Sequence, residues 1–433
     1  MRTALTGKKP VVVLGLVTAL CLLGDSMLYI VLPIYWREGG IASLWEVGLI
    51  LSVNRWIRLP IHPLVGRMYR KISLRAGILL AVVLGSLTTV GYGFADGLPA
   101  WLLLRSLWGV AWSLLRIGGY YAIIRAASGR NRGEMTGTYN GLYRLGSLVG
   151  MAAGGLLGPW IGLRDTSLLF GGLSLVGIFL LLSFPSETVS GREAEANKEK
   201  PARHPLGWGR AFPVLFSVFW VALVFQGILP STLSAFILRF GETVTLMGFT
   251  LAATAWSGIL QGARWGWEPF LAGRIGRWSD GTSGRIPLFV ASLILSAAGL
   301  SAMLIVSSFP RWTAATLLVL LTGTSLTTLS DALAADEAVR TRNDSLLPLT
   351  ALAQDLGAAA GPVLAYLLME SGADLWRVYA TAAAGFAGLA WFWHRSPSCG
   401  RAEKKERAGG ADSACSAGVV RVNKITRREE RKK

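Results

Sequence analysis

The sequence has little from which a disulfide framework, a metal centre or a catalytic site can be built. It contains three cysteines and three histidines among 433 residues. Cys21 lies in an apolar segment, Cys399 and Cys415 lie in a basic C-terminal stretch, and no CxxC or Cys/His cluster occurs, so neither a disulfide scaffold nor a zinc site is expected. The sequence also lacks a phosphate-binding glycine loop and a nucleophile triad. We therefore expect no enzyme, no cofactor and no ATP-driven pump.

Charged residues are scarce as well. They make up 16% of the chain, against 52% hydrophobic residues, whereas soluble domains carry roughly 25% charged residues. The apolar residues fall in blocks of about 20, long enough as helices to cross ~30 Å of hydrocarbon. Because lipid cannot hydrogen-bond open backbone, the sequence predicts an all-α polytopic membrane protein. The twelve predicted spans are residues 11–35, 45–65, 76–95, 98–124, 136–160, 166–184, 212–238, 246–272, 286–308, 312–334, 346–369 and 373–394.

The N-terminus starts like a signal peptide, with basic residues before an apolar run from Val11. The run continues past Asp25 to Pro33 without a small-residue cleavage site, so we expect a retained first span. Further along, a polar, proline-bearing stretch separates the sixth and seventh spans. We expect an N-terminal six-helix half at 10–184, a cytoplasmic linker at 185–211, a C-terminal six-helix half at 212–394, and a basic, disordered tail at 395–433.

Most positive charge lies on one side of the predicted spans. Of the 43 lysines and arginines, 32 fall in the N-terminus, the linker, the tail and the loops on their side, five fall in the opposite loops, and six fall inside spans. The positive-inside rule predicts that both termini and the linker are cytoplasmic, in a multi-pass inner-membrane protein. Topology and the anionic surface of the lipid bilayer then explain the net charge of +18, and no nucleic-acid partner is expected.

The two halves share a weak repeat. Sequence patterns on spans 2 and 8, in the loops that follow them, and on spans 5 and 11 recur 209 to 211 residues apart. A parallel repeat of six-helix halves is typical of one class of secondary transporter, which binds its substrate between the halves near the bilayer midplane. The matched patterns are Arg55-Trp56 with Arg264-Trp265, Gly66 and Arg75 with Gly276 and Arg285, and Arg144, Gly146 and Gly150 with Asp355, Gly357 and Gly361.

Residues 10–395 resemble the major facilitator superfamily. The loop from Gly66 to Arg75 is similar to that family's G-x-x-x-D-R-x-G-R-x signature, although Arg70 and Ser73 stand where the family has Asp and Gly. The second copy retains the acid and reads Gly276, Asp280, Gly284 and Arg285. The resemblance implies two six-helix halves that rock around a central cavity. Arg105 in span 4 is similar to an arginine motif of proton-coupled members, whereas span 5 lacks the Gly-Pro of the antiporter signature.

The arginines inside the spans are the most informative residues. A charge at the bilayer centre costs about 2.5–3.5 kcal/mol on insertion scales, so it normally faces the bundle interior and has a partner. Four carboxylates lie at a similar depth, so two of the six arginines have no acidic residue to balance their charge. Arginine cannot lose its proton to avoid this cost. Helical spacing places these residues in stripes that predict a polar cavity. The expected cavity residues are Arg55, Arg58, Arg105, Arg116, Arg144, Tyr29, Trp112 and Asn140.

The deep carboxylates Asp25, Glu268, Asp331 and Asp355 allow several roles. Arg264 and Glu268 are spaced to form a local ion pair. Asp331, Asp355 and Arg144 are expected to form a gate between the halves. The alignment of the halves predicts that Arg144 faces Asp355 and, once a loop gap is allowed, that Arg116 faces Asp331. Substrate binding and a static role are the alternatives. Asp25 or Asp355 is the expected proton-coupling residue, and the alternative for Asp25 is a buried partner for Arg105 or Arg116. Small rearrangements around such a carboxylate can load or release a proton.

These features predict a monomeric secondary transporter that moves a small organic solute, anionic or zwitterionic, by alternating access with proton coupling. Two alternatives remain at this point. A drug/proton efflux antiporter would use the deep acids to select cations. A non-transporting membrane protein of the same fold would act as a sensor or assembly factor through its tail.

Overall fold

The computed structural model describes residues 8–126, 132–182, 208–280, 284–341, 346–372 and 374–395. Within these ranges the chain forms twelve long helices and one β-hairpin, which confirms the predicted all-α polytopic fold. The predicted tail, apart from Arg395, lies outside the described residues. Most of the predicted linker also lies outside them, and the seventh helix begins at Trp208, three residues before the predicted end of that linker at 211.

Two of the helices have irregular backbone. Arg132–Leu182 breaks at Gly162 (φ 76°, ψ 175°), a left-handed conformation that favours glycine, and the break separates α5 (132–161) from α6 (163–182). Helix α7 combines Trp208–Ala222, a π-helical turn at Leu223–Ile228, and Leu229–Ile237. The other helices are α1 (Lys8–Tyr35), α2 (Leu44–Met68), α3 (Leu74–Tyr92), α4 (Gly97–Ala126), α8 (Ala253–Ser279), α9 (Arg285–Ile305), α10 (Phe309–Thr341), α11 (Leu346–Glu370) and α12 (Leu375–Arg395).

Eight helical stretches are long and apolar enough to cross a membrane, and one of them, Gly133–Leu182, comprises both α5 and α6. Helices α2, α8 and α12 are not among the eight. They have 25, 27 and 21 residues, so they are long enough to cross hydrocarbon. Both α2 and α8 carry arginines in mid-helix, which lowers their apolar character.

The predicted start of span 8 at residue 246 is wrong, because a β-hairpin precedes α8. Strand β1 (Thr243–Leu246) pairs antiparallel with β2 (Phe249–Ala252). The turn between them has positive φ at Met247 (52°) and Gly248 (85°), as in the type I′ turns that join two-residue hairpins. Trp256 of α8 fixes the hairpin by donating its Nε1 hydrogen to the carbonyl oxygen of Val244 at 2.8 Å.

The predicted repeat reappears in the packing of the helices. Helix α5 packs on α1 as α11 packs on α7, and in both cases glycines allow the backbones to touch. The four close approaches are Gly146 to Ala19, Gly150 to Leu23, Gly357 to Phe219 and Gly361 to Leu223. Matching glycines lie 211 residues apart and matching partners 200 apart. The same local packing is therefore built twice.

The apolar cores of the first and last six helices are largely separate. One buried cluster in α7–α12 includes Phe225, Trp312 and Phe386. Two clusters in α1–α6 surround Trp108 and Trp101, and Tyr366 of α11 joins the second of these. Each group of six helices therefore buries its own hydrophobic side chains.

The two groups of helices meet at one end of the bundle, which we call the closed end and which carries residues 36–43. There Ser234 Oγ of α7 donates to the carbonyl oxygen of Ile30 of α1 at 3.0 Å. Thr254 Oγ1 of α8 donates to the carbonyl oxygen of Gly155 of α5, also at 3.0 Å. Close contacts and hydrogen bonds therefore seal this end.

Toward the other end, which carries residues 69–73 and which we call the open end, α5 and α8 diverge. A Cβ atom added to Gly258 would overlap the backbone of α5. One turn further along, a Cβ on Gly262 would lie 3.3 Å from the carbonyl oxygen of Leu148. On Gly266 it would lie 3.5 Å from the Leu148 side chain, and on Gly273 it would meet nothing within 4 Å. The groups thus enclose a wedge-shaped opening.

Candidate functional site

A buried ion pair joins Asp25 of α1 to Arg105 of α4. Arg105 has no exposed surface, and its Nε donates to the carbonyl oxygen of Ile50 in α2 at 3.1 Å. Asn54 Nδ2 donates to the same oxygen of Asp25 at 3.4 Å. Tyr29 is 6% exposed, and its hydroxyl donates to a backbone carbonyl of α2 at 3.3 Å. Arg105 therefore joins α1, α2 and α4, and the hydroxyl of Tyr29 joins α1 to α2. That these two side chains also line the cavity stays a prediction.

Two other arginines flank the indole of Trp112. The guanidinium carbons of Arg58 and Arg116 lie 5.3 Å and 5.9 Å from the indole centroid, within cation–π range. The ring of Tyr143 meets this indole edge-on, with centroids 5.7 Å apart, and its hydroxyl accepts a hydrogen bond from Arg116 Nη1 at 2.9 Å. We call these four side chains, from α2, α4 and α5, the arginine–tryptophan cluster.

Among the described residues, no carboxylate lies within ion-pair distance of Arg58 or Arg116. Arg58 is 8% exposed, and its Nε has no hydrogen-bond partner there. His62 Nε2, one turn along α2, and Asn140 Oδ1, one turn along α5 from Arg144, are also buried without a partner. Buried polar groups of this kind are costly unless something satisfies them. The cluster can therefore receive a polar, anionic ligand.

Arg55 of α2 and Asp355 of α11 form a loose ion pair between the two groups of helices. Its closest atoms, Arg55 Nη1 and Asp355 Oδ1, are 3.9 Å apart, and the two side chains are 16% and 26% exposed. The pair lies near the middle of both helices. The expected partner of Asp355 was Arg144, and the structure brings Arg55 to it instead.

Arg144 of α5 pairs across the opening with Glu268 of α8, with Nη1 and Oε1 2.8 Å apart. The predicted local pair of Arg264 with Glu268 is therefore wrong. Arg264 instead donates from Nη1 to the carbonyl oxygen of Phe225 at 2.7 Å. Phe225 lies in the π-helical turn of α7, where the wider hydrogen-bond register leaves a carbonyl accessible.

Asp331 of α10 is exposed, and Arg144 and Glu268 are its electrostatic neighbours. Among the described residues it has no partner within ion-pair distance. Arg116, the partner expected from the alignment of the halves, binds Tyr143 instead. Asp331 is thus a carboxylate that faces the opening and is available to a ligand.

Charge is distributed unequally around the opening. The first six helices contribute basic side chains, and the last six contribute acidic ones together with Arg264, which is bound to the carbonyl oxygen of Phe225. The basic residues are Arg55, Arg58, Arg116 and Arg144, and the acidic residues are Glu268, Asp331 and Asp355. The opening is therefore electrically polarised from one group of helices to the other.

The two signature loops differ in what they hold. Arg70 is exposed, a Cβ on Gly66 would meet nothing within 4 Å, and Ser73 begins α3 by accepting a hydrogen bond from the amide of Ala76 at 3.1 Å. Arg75, in the first turn of α3, is half-buried. Ser73, which replaces the family's glycine, thus serves as a helix cap.

In the second loop, Arg285 links Asp280 to α10. Its guanidinium lies 2.8 Å from carboxylate oxygens of both Asp280 and Asp336, and it donates to the carbonyl oxygen of Ala332 at 2.9 Å. A Cβ atom added to Gly276 would meet no atom of the described residues within 4 Å. The acid retained in this copy therefore ties the end of α8, through Arg285, to α10.

Sequence reasoning did not select Tyr143 or Glu268 for the site. Tyr143 precedes Arg144 and follows Tyr139 by four residues. This spacing of two aromatic residues beside an arginine is the sequence pattern from which Tyr143 could have been predicted as a site residue. The two rings are in contact, with centroids 5.3 Å apart. The four-residue spacing predicts that Glu268 pairs with Arg264, so the sequence does not point to its contact with Arg144.

The comparisons with known proteins identify the family. The model of the Major Facilitator Superfamily matches residues 14–271, more than half of the chain. The chain belongs to the major facilitator superfamily. An "Uncharacterized MFS-type transporter" from Yersinia pestis (strain Pestoides F) is 24% identical over 161 residues, which cover 36% of this chain and 42% of the relative. Another from Enterobacter sp. (strain 638) is 23% identical over 145 residues, 34% of this chain and 38% of the relative. The matched region spans about two-fifths of these curated relatives.

Solved transporter structures share the fold over most of the chain. A bacterial homologue of the human lysosomal transporter Spinster, in an inward-facing and occupied conformation, has a TM-score of 0.66 at 15% identity, covering 89% of this chain and 95% of that chain. The nucleoside transporter NupG has a TM-score of 0.71 at 14% identity, covering 90% and 99%. The peptide transporter POT has a TM-score of 0.70 at 13% identity, covering 89% and 93%. These likenesses establish the fold.

Proposed function

We propose that this member of the superfamily is a secondary transporter of the inner membrane that moves a small organic anion or zwitterion by alternating access. The observation that carries the proposal is the arginine–tryptophan cluster. Its two arginines stay charged at any physiological pH and lack a carboxylate partner among the described residues. A solute with an acidic group would supply the missing counter-charge.

The open end is the cytoplasmic end in this proposal, because the positive-inside rule assigns the loop at 69–73 and both termini to the cytoplasm. The conformation is then inward-facing. The solved structure of the Spinster homologue, which shares the fold, is also inward-facing. Substrate would enter or leave through the wedge between α5 and α8.

Two ion pairs serve as the gate between the halves in this scheme. Arg55 with Asp355 and Arg144 with Glu268 join them at mid-depth. Rocking of the halves would break and re-form these contacts. Asp355 is better placed than Asp25 to exchange a coupling proton, since its ion pair is longer and a quarter of its side chain is exposed. Asp25 is held by Arg105 and Asn54.

The moving parts in this proposal are residues 10–184 and 212–394, joined by the linker at 185–211. Their separate apolar cores support rigid-body motion of the halves. One chain supplies both halves and the opening, so a monomer suffices for transport.

Drug/proton antiport remains the second candidate, and Asp331 is the observation that favours it. An exposed carboxylate beside the opening, with no ion-pair partner among the described residues, would attract an organic cation. This candidate predicts that cations are exchanged for protons and that anions are not transported.

The deciding experiment measures flux into proteoliposomes for a panel of organic anions, zwitterions and cations, with and without a pH gradient. We expect anion or zwitterion flux that increases with the gradient. Arg116→Gln should slow it about tenfold, the equivalent of losing ~1.4 kcal/mol of binding. The control is Arg311→Gln, because Arg311 is exposed near the closed end of α10. Flux of cations alone would favour antiport, and no flux of any compound would favour the non-transporting alternative.

A further inference from the structure

The charged side chains around the opening that lack an ion-pair partner among the described residues indicate which charges a ligand would carry. Three arginines in the bundle are matched by carboxylates, in the pairs Arg105 with Asp25, Arg55 with Asp355, and Arg144 with Glu268. Arg264 binds the backbone carbonyl of Phe225. Among the described residues this leaves Arg58 and Arg116 on the first six helices and Asp331 on the last six without an ion-pair partner. The remainder is two positive charges on the first six helices and one negative charge on the last six.

The basic side of this remainder is pre-organised. The guanidinium groups of Arg58 and Arg116 share the indole of Trp112, and Tyr143 fixes the second through its hydroxyl. Arg58 is more than nine-tenths buried, and its Nε has no hydrogen-bond partner in the part of the chain that the structure describes. Rigid, desolvated donors beside a flat apolar ring favour a planar group that carries acids.

A polar path connects the basic side to Asp331. Arg116 donates to the hydroxyl of Tyr143, Arg144 follows Tyr143 on α5, and Arg144 pairs with Glu268 on α8. Asp331 on α10 lies within electrostatic reach of both members of that pair. A ligand that bridges α4 and α10 along this path would contact both groups of helices.

We infer that the substrate of this opening is a zwitterion with more acidic than basic groups, oriented with its acidic end at Arg58 and Arg116 and its ammonium group at Asp331. This inference rests on the proposed transport function and narrows its substrate class. Such a ligand neutralises the remaining charges on both sides. Its two ends attach to opposite helix groups, so binding favours the conformation in which the groups approach each other.

The test uses the full-length protein in detergent and four probes with one skeleton: 4-carboxyphenylalanine, phenylalanine, N-acetylphenylalanine and phenylalanine methyl ester. Apparent dissociation constants come from thermal stabilisation at neutral pH. We expect 4-carboxyphenylalanine to bind most tightly, phenylalanine next, N-acetylphenylalanine more weakly, and the ester not at all. Acetylation removes the positive charge of the ammonium group but adds an acetyl group, so the contribution of the charge is measured by how much the preference between these two probes changes in a variant that lacks the Asp331 carboxylate.

The informative variant is Asp331→Asn, which keeps the size of the side chain and breaks no ion pair of the described residues. We expect it to reduce the preference for phenylalanine over N-acetylphenylalanine about tenfold, which is ~1.4 kcal/mol. Asp374→Asn, at an exposed carboxylate near the closed end, is the matched control and should keep the wild-type preference. Arg116→Gln should weaken every acidic probe.

Three outcomes would overturn the zwitterion inference. They are equal or tighter binding of N-acetylphenylalanine by the wild type, an unchanged preference in Asp331→Asn, and no stabilisation by any of the four probes. None of them decides whether the chain transports a solute, because the flux panel measures that independently. Anion flux in that panel together with failure here would retain the transporter and remove the ammonium subsite.

Discussion

Arginine has two different roles in the interior of this protein. Arg105 is fully buried and held by Asp25, so its charge is matched and its position fixed. Arg58 and Arg116 are held by aromatic rings and a hydroxyl, which orient a guanidinium group without neutralising it. The first arrangement joins helices, and the second leaves charge available to a solute.

This distinction predicts different costs for removing two carboxylates. Asp25→Ala leaves Arg105 as an unmatched buried charge, so we expect it to destabilise the protein by about 3–5 kcal/mol. Asp355→Ala should cost under about 1 kcal/mol, because its ion pair is long and partly exposed. Thermal unfolding in detergent compares the two variants. Equal destabilisation would contradict the assignment of Asp25 to a structural role.

The numbers of buried arginines and carboxylates can be counted from the sequence, but the ion-pair partner of each cannot be predicted from it. Counting six deep arginines against four carboxylates indicated unmatched positive charge. Which arginines remain unmatched depends on side-chain reach between helices and on the π-helical turn that accepts Arg264. Neither the reach of a side chain between helices nor the position of a π-helical turn follows from the spacing of residues in the sequence.

Among the helices, α5 and α8 set the shape of the opening. Their backbones touch at Gly155 and Gly258 and separate toward Gly273. Small residues at the contact let the closed end seal without bulky side chains, which is how membrane helices approach closely.

Gly258→Val is therefore expected to weaken the seal of the closed end. The added side chain would overlap α5, and overpacking of this kind costs about 1–3 kcal/mol. The population should shift toward the conformation in which this end is open. The measurement is labelling of a single cysteine in place of Ser234, at the closed end, by a membrane-impermeant thiol reagent on a background with Cys21, Cys399 and Cys415 replaced by Ala. Gly273→Val, where a Cβ has open space, is the control, and equal labelling of the two variants would contradict the role of this contact.

The hairpin at β1 and β2 shows where element prediction failed. Leu246, Phe249 and Leu251 are apolar and adjoin a true span, so a hydropathy window joins them to α8. The turn itself uses Met247 at positive φ, where the usual Asn or Asp signal is missing. The twelve predicted spans nevertheless correspond to twelve helices with the length that a bilayer requires, although α2, α8 and α12 are not among the stretches that are also apolar enough to cross it.

On the scale of the whole molecule, the ion pair between Arg144 and Glu268 couples the two groups of helices. Arg144→Glu places two carboxylates against each other, and Glu268→Arg places two arginines there; like charges in such a contact cost several kcal/mol. We expect each single variant to lose transport of the preferred solute in proteoliposomes. The double variant restores an ion pair of opposite polarity and should recover part of the flux. Equal loss in the double variant would show that the pair is not a gate between the groups.

The global architecture followed from the sequence, and its conformation did not. Span lengths, the repeat and the resemblance gave the family and the fold, both of which the comparisons support. The wedge between α5 and α8 belongs to one conformation, whereas a sequence encodes every conformation that the chain can adopt.

The unequal lining of the opening also concerns assembly. The backbone repeats, but the facing surfaces carry opposite charge, with arginines on one and carboxylates on the other. Two copies of the first six helices placed face to face would bring like charges together, and so would two copies of the last six. Only the pairing of the first six helices with the last six brings opposite charges together. The two groups of helices therefore share a backbone arrangement but cannot replace each other.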